Sequence, residues 1–306
     1  IQEPGDEDGD HTTVPSVSTT LTPVVQPPGC GKRNPKGVID RITGGNETES
    51  EYGEFPWMMA IFKKEEVLGQ QNKNVYKCGG SLIHKQVVLT AAHSLKKKQA
   101  SELIVRGGEW DTQTTRETFP HQERSITEIV THPEYYKGGN LNNVALLFLD
   151  SPFELNSIIQ PVCLPPQDAN FDHHTCVAAG WGMDAHGKTG TYQAKLRNID
   201  LPIVPNGECQ YTLRTTRLGA KFTLHDSFIC AGGVKGKDTC KGDGGSPLVC
   251  PIPKKQHQYY QTGIVSWGIG CGENGIPGAY GNVAMFRNWI DQHMIQRNFG
   301  TSSYTP

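Results

Sequence analysis

The chain has 306 residues, a formal net charge of −2, 20% charged residues and 36% hydrophobic ones. That balance marks no nucleic-acid or membrane-surface binder, and the length suits one large all-β domain or two smaller ones. No apolar run approaches the roughly 18 residues that cross a bilayer as a helix.

Residue 1 is Ile, with neither Met nor a leader ahead of it, so the chain reads as a mature or truncated form. Residues 1–29 begin acidic, with Glu3, Asp6, Glu7, Asp8 and Asp10. They then turn rich in Thr, Ser, Val and Pro, including Pro15, Pro23, Pro27 and Pro28. With no apolar periodicity to bury, this stretch is expected to be a disordered linker. Residues 30–41 follow, opening on Cys30 and closing on Asp40-Arg41 ahead of Ile42-Thr43-Gly44-Gly45. Asn46-Glu47-Thr48 is a glycosylation sequon.

From Pro56 onward, short apolar segments alternate with turn residues. Trp57–Phe62, Val87–Leu89, Val144–Leu149 and Thr262–Val265 have the length and composition of strands. Thirty-five glycines and twenty prolines punctuate them. Many short strands at this spacing predict a sandwich or barrel. Near the end, Val283, Phe286, Ile290 and Met294 recur at helical spacing and predict a helix. Nine cysteines, widely spaced and without a CxxC pair, point to disulfides formed in an oxidising compartment, with one thiol left over.

Several motifs together resemble the trypsin/chymotrypsin-like serine proteases, in that family's order, from residue 30 to about residue 297. Cys78-Gly79-Gly80-Ser81 precedes Leu89-Thr90-Ala91-Ala92-His93. Asn143-Val144-Ala145-Leu146 stands where the family has Asp-Ile-Ala-Leu. Gly180-Trp181-Gly182, Ser266-Trp267-Gly268 and Pro277-Gly278 follow, and Gly242-Asp243-Gly244-Gly245-Ser246-Pro247 stands where the family has Gly-Asp-Ser-Gly-Gly-Pro. The resemblance implies an all-β fold of two six-stranded antiparallel barrels with a C-terminal helix. It makes residues 42–306 a protease-like domain and residues 30–41 an activation segment tethered by a disulfide.

In that family a serine attacks the scissile carbonyl, a histidine takes its proton, and an aspartate holds the histidine in the right tautomer. The three positions here are His93, Asn143 and Gly244. Loss of the nucleophile and of the aspartate implies no working protease. A weak protease with another nucleophile would have to use Ser246, two residues on. Arg41, Ile42 and Asp243 match the zymogen switch, in which cleavage after Arg41 frees an Ile42 amine to pair with Asp243. Cleavage upstream, in a preceding module, is the competing route. Asp238, Gly268 and Gly278 match the specificity pocket for Arg or Lys. Asp238 is either functional in that role or a vestige paired with water or Lys241.

The resemblance also implies the pairs Cys30–Cys163, Cys176–Cys250, Cys209–Cys230 and Cys240–Cys271. Cys78 is then the odd cysteine, because Ser94 stands where its partner would be: a buried inert thiol or a link to another chain. Lys96-Lys97-Lys98 is expected to be a solvated loop, with a basic rim beside the His93 segment as the alternative. The Glu109–Glu123 loop, with Asp111 and Glu117, resembles a calcium loop of some members but departs in length, so no metal and no cofactor is expected.

Gly244, the Cys30-Gly31-x-Arg33-Asn34 entry and Gly108-Glu109-Trp110-Asp111 are similar to the arthropod serine protease homologues. Members of that group often carry a clip domain ahead of the protease-like domain, which would make residues 1–29 the linker behind one. The resemblance implies a secreted haemolymph protein, cut by an upstream protease, that assembles with phenoloxidase or another cascade protein, with oligomers forming after cleavage. A microbial-surface receptor for polysaccharide on the same fold is the alternative; neither nucleic acid nor a membrane span is expected.

Overall fold

The computed structural model describes residues 29–38, 48–65, 73–115, 117–183 and 190–306. Twelve strands among them form two closed antiparallel barrels. The first is built from β1 (Met58–Glu65), β2 (Lys73–His84), β3 (Val87–Thr90), β4 (Leu103–Gly107), β5 (Gln122–Thr131) and β6 (Ala145–Leu149). Its order around the wall is β1-β2-β3-β6-β5-β4, and β4 pairs back onto β1 to close it.

The second barrel is built from β7 (Thr175–Gly180), β8 (Arg197–Val204), β9 (Phe228–Gly232), β10 (Pro247–Pro251), β11 (Tyr259–Trp267) and β12 (Pro277–Asn282). Its order is β10-β11-β12-β9-β8-β7, closed where β10 pairs with β7. Closure leaves neither sheet with a free edge to pair with another chain.

Strands β3 and β6 are buried at every position, which is why Val87–Thr90 and Ala145–Leu149 read as continuous apolar runs. By contrast, β4 alternates buried and half-buried residues, one face in and one face out. The four predicted strands lie on β1, β3, β6 and β11, within two or three residues at each end.

Two α-helices accompany the barrels among the described residues. α2 (Val283–Gln296) buries Val283, Phe286, Ile290 and Met294 in the apolar cluster of the first barrel, and Trp57 and Trp181 are fully buried in that same cluster. α1 (Asn206–Arg214) buries Cys209 and Leu213 and was not anticipated from the sequence.

Four disulfides staple the chain: Cys30–Cys163, Cys176–Cys250, Cys209–Cys230 and Cys240–Cys271. Cys78 is a free thiol, buried, and burial pushes its pKa up to about 12, so it is inert as a nucleophile at neutral pH. The Cys30 segment is also held by Arg33, which ion-pairs with Glu54 at 2.5 Å and lies over the Phe55 ring. In the Glu109–Glu123 loop, the Arg106 guanidinium bridges the two end carboxylates, at 2.7 Å to Glu109 and 2.6 Å to Glu123.

Candidate functional site

Three chain segments meet at the cleft between the barrels. A short 3₁₀ turn, Ala92–Leu95, follows β3 and carries His93. Asn143 lies just ahead of β6, fully buried. The Cys240–Ser246 loop leads into β10. The backbone N–H of His93 donates to Asn143 Oδ1 at 2.8 Å. That donor fixes the amide, since only oxygen can accept there. The Asn143 NH₂ therefore points the other way, donating to His93 Nδ1 at 2.7 Å and to Ser266 Oγ at 2.7 Å.

One consequence decides the chemistry. His93 Nδ1 must present its lone pair, so the ring proton sits on Nε2. Nε2 is then a donor, and it faces the Ser94 hydroxyl at 3.3 Å. Burial, and secondarily the nearby Lys77 charge, hold the His93 pKa below its ordinary value, so the ring is neutral at pH 7. A general base needs a lone pair at Nε2; this arrangement offers a proton there instead.

No side chain occupies position 244. A Cβ there would lie 2.8 Å from His93 Nε2 and 3.2 Å from Ser94 Oγ, so ring and hydroxyl already crowd the space a nucleophile would use. Ser246 does not replace it. Its side chain is fully buried, and its hydroxyl lies where a Cβ on Gly79 would be. The intervening Gly245 has φ +86°, and a Cβ there would run into Thr90 Oγ1 and the Gly79 carbonyl.

The loop backbone is fixed by its own carbonyls. Lys241 C=O accepts from the Met183 N–H at 2.8 Å, and Asp243 C=O accepts from the Ser246 N–H at 2.8 Å. In a trans peptide the N–H points opposite to the C=O. The N–H groups of Gly242 and Gly244 therefore turn away from those contacts, and both residues line the cleft pocket. Inside the loop, the Tyr76 hydroxyl donates to the Gly242 carbonyl at 3.1 Å, and the Gly79 N–H donates to that of Gly244 at 3.1 Å.

Two carboxylates lie behind this loop. Asp243 accepts from the Gly182 N–H at 2.8 Å and the Cys240 N–H at 2.9 Å. Burial outweighs those two bonds and raises its pKa to about 6. No ion pair among the described residues involves Asp243 or Asp238. Asp243 forms part of the wall of a cavity of about 370 Å³, with Gly180, Gly182 and Asn198.

Asp238 Oδ2 accepts from the Gly272 N–H at 3.0 Å, while its Oδ1 is buried without a partner among the described residues. Burial raises this carboxyl as well. It lies on a second cavity, about 270 Å³, lined also by His93, Lys241, Gly242, Gly244, Gly268 and Gly278. A Cβ on Gly278 would stand 3.2 Å from Asp238 Oδ1, so the small residue keeps that oxygen accessible.

The structure thus brings His93, Asn143, Gly244, Asp238, Gly268 and Gly278 to one cleft, with Asp243 directly behind it. Arg41, Ile42 and Asn46 lie outside the described residues. Sequence reasoning missed the roles of Tyr76, Ser266 and Ser94. Ser94 was noticed only as the residue in place of a cysteine partner for Cys78, yet the same exchange puts a hydroxyl against His93. Ser266 was noticed only as the first letter of the Ser266-Trp267-Gly268 motif, and Tyr76 carries no sequence signal that would single it out.

Comparison with known proteins gives a family match and several relatives. The sequence profile described as Trypsin matches residues 42–290. Phenoloxidase-activating factor 2 of Galleria mellonella is 49% identical over 296 residues, covering 92% of this chain and 97% of its own. Inactive CLIP domain-containing serine protease A8 of Anopheles gambiae is 42% identical over 264 residues, covering 86% of this chain and 70% of its own. Phenoloxidase-activating factor 3 of Holotrichia diomphalia is 35% identical, over 83% of this chain and 72% of its own.

Proposed function

Since the chain belongs to the trypsin family, as a clip-type serine protease homologue, we propose that it is a non-catalytic binding cofactor of an extracellular melanisation cascade, acting in phenoloxidase activation. One observation carries the non-catalytic part. Asn143 holds His93 with its proton on the wrong nitrogen, opposite a residue without a side chain. Replacing the aspartate by asparagine costs about 10⁴ in turnover in the family's template enzyme, and losing the nucleophile costs about 10⁶ in a protease of unrelated fold with the same triad. The buried position of Ser246 also speaks against a substitute nucleophile.

The cascade assignment rests on relatives named phenoloxidase-activating factors and inactive clip-domain proteases. Four disulfides agree with a secreted, haemolymph protein, glycosylated at Asn46. An upstream serine protease cuts after Arg41, and the freed Ile42 amine enters to pair with Asp243. A buried carboxylate with no cation beside it among the described residues supports that step. The paired amine orders the loops around it, and the ordered face binds phenoloxidase or another cascade protein.

The test measures two things on one preparation. Hydrolysis of an arginyl anilide and reaction with a serine-directed phosphonate should both be absent. Prophenoloxidase, mixed with its activating protease, should gain activity with the wild-type chain and not with Arg41→Gln. Hydrolysis abolished by Ser246→Ala or His93→Ala would overturn the non-catalytic reading. Equal stimulation by Arg41→Gln would overturn the cleavage step.

A further inference from the structure

The lysines that follow His93 belong to a larger basic face. Lys96 and Lys97 are exposed just after the Ala92–Leu95 turn, and Lys98 ion-pairs with Glu102 at 3.4 Å. The Glu102 pKa is lowered first by the Gln99 N–H, and then by Lys98 and by Lys63 of β1, so Lys63 stands in the same cluster. Lys63 also bonds Glu65 at 3.0 Å. In the β1–β2 pair Lys63 lies opposite Val75, and Lys77 follows two residues on along β2, on the same face. Lys77 is exposed, and near enough to His93 that its charge, after burial, helps to hold that ring's pKa low. Five lysines and two carboxylates therefore share one flank of the cleft. Lys77, Lys96 and Lys97 have no ion pair among the described residues.

The complementary charge is in the chain itself. Glu3, Asp6, Glu7, Asp8 and Asp10 place five carboxylates in the first ten residues, which lie outside the described ones. Nineteen residues, 11–29, tie that run to Cys30. Strand β2 measures the span the tether must cross. The Val162 N–H donates to the Leu82 carbonyl at 2.8 Å, next to Cys163 and its partner Cys30. Lys77 stands five residues back along β2, about 17 Å away. Nineteen residues cover about 24 Å as a random coil and about 65 Å when extended, so the run reaches. A second basic site, the turn carrying Lys254 and Lys255, packs beside Lys32 and so almost at Cys30 itself. A tether favours the site whose distance matches its own length, which is the flank beside His93.

We propose that this flank, Lys63, Lys77 and Lys96–Lys98, is the docking site of the chain's own acidic run, Glu3 to Asp10, bound in cis. The run then covers the side of the cleft that Lys77 borders. Each exposed pair is weak and screened by salt, but a tethered segment is present at millimolar effective concentration, so several pairs together hold it. The contact is independent of the cascade reading and of any cut after Arg41.

Carbodiimide coupling of the full chain at low ionic strength, read by peptide mass spectrometry, tests it. Amide links should join the carboxylates of the acidic run to Lys63, Lys77, Lys96, Lys97 or Lys98, and should fall about tenfold in about 1 M NaCl. The Lys98–Glu102 link at low salt reports that the reagent worked. A mixture of plain and isotope-labelled chains should give links only within one label. Links between labels would put a second copy's run on the flank and overturn docking in cis. Links chiefly to Lys32, Lys254 or Lys255, or none from the run beside a formed Lys98–Glu102 link, would overturn the site. Lys77→Glu with Lys97→Glu should cut the links to the remaining lysines about tenfold. If that variant does not fold by near-ultraviolet circular dichroism, a chain with Asp6→Asn, Glu7→Gln and Asp8→Asn is read on heparin instead. Its uncovered flank should hold the sulfated polysaccharide to higher salt than the wild type does, and equal retention would overturn the proposal.

Discussion

At the scale of single residues, the state of His93 is set by one amide. Asn143 cannot rotate its NH₂ away, because its oxygen is held by the His93 backbone N–H and its nitrogen also serves Ser266. Restoring a serine alone should therefore give almost no amidase activity. In Gly244→Ser the new Cβ forces His93 or Ser94 to shift, and Nε2 still carries a proton. Adding Asn143→Asp should raise turnover of an arginyl anilide by about 10⁴ over the single variant. Equal activity of the single and double variants would show that Asn143 does not set the tautomer.

Asp243 makes a second prediction at this scale. Its folded pKa of about 6 lies above the ordinary carboxylate value of 3.8. Between those values the folded chain binds a proton that the unfolded chain has released, so stability falls as pH rises through the window. The uncut chain should lose up to about 3 kcal/mol from this group between pH 4 and pH 7. Asp243→Asn should flatten the slope. With the Ile42 amine as partner, the carboxyl's pKa falls, and the cut chain should instead lose stability on acidification. Thermal unfolding across pH 4–8 of cut, uncut and Asp243→Asn chains reads all three.

Legibility at the residue scale was uneven for a physical reason. A missing serine and a missing aspartate are visible as letters in a motif. The direction of an amide and the proton it fixes depend on a contact between residues 50 apart in the chain, which no local pattern records.

At the scale of elements, strands that are buried on both faces announced themselves and strands that face water did not. β3 and β6 are apolar throughout. β5 has a single fully buried residue, Ile126, and its polar letters read as loop. α2 was legible because Val283, Phe286, Ile290 and Met294 form one stripe. α1 was not, since Cys209 and Leu213 are its only buried residues and Gly207 sits in its first turn. Packing rather than helix propensity positions α2 against the first barrel. Ile290→Ala, at a fully buried site, should cost about 3 kcal/mol, measured as a shift of the denaturant midpoint. A change below about 0.5 kcal/mol, the range of ordinary surface substitutions, would mean the helix is not integral to the core.

At the scale of the whole molecule, the paired barrels followed from the family resemblance and not from periodicity, which reached only an all-β, disulfide-bonded protein. The closure pairs β1–β4 and β10–β7 join strands far apart in sequence, beyond the reach of local pattern. The same scale governs cleavage. A chain cut after Arg41 should keep its full mass on a non-reducing gel and release its N-terminal piece only after reduction, because Cys30 is bonded to Cys163. Release without reductant would show that this bond is absent in the protein tested.

That cystine sets the arithmetic of signalling. An activating cut normally liberates a catalyst, and one event then yields many products. Under the proposed function, a piece cut off after Arg41 would stay attached, and the site that would multiply the event has glycine where the nucleophile would stand. Each molecule would then report one cut, once. Output would be stoichiometric with the protein present, gain would come from the enzymes on either side, and the amount of this chain would set a ceiling on the response.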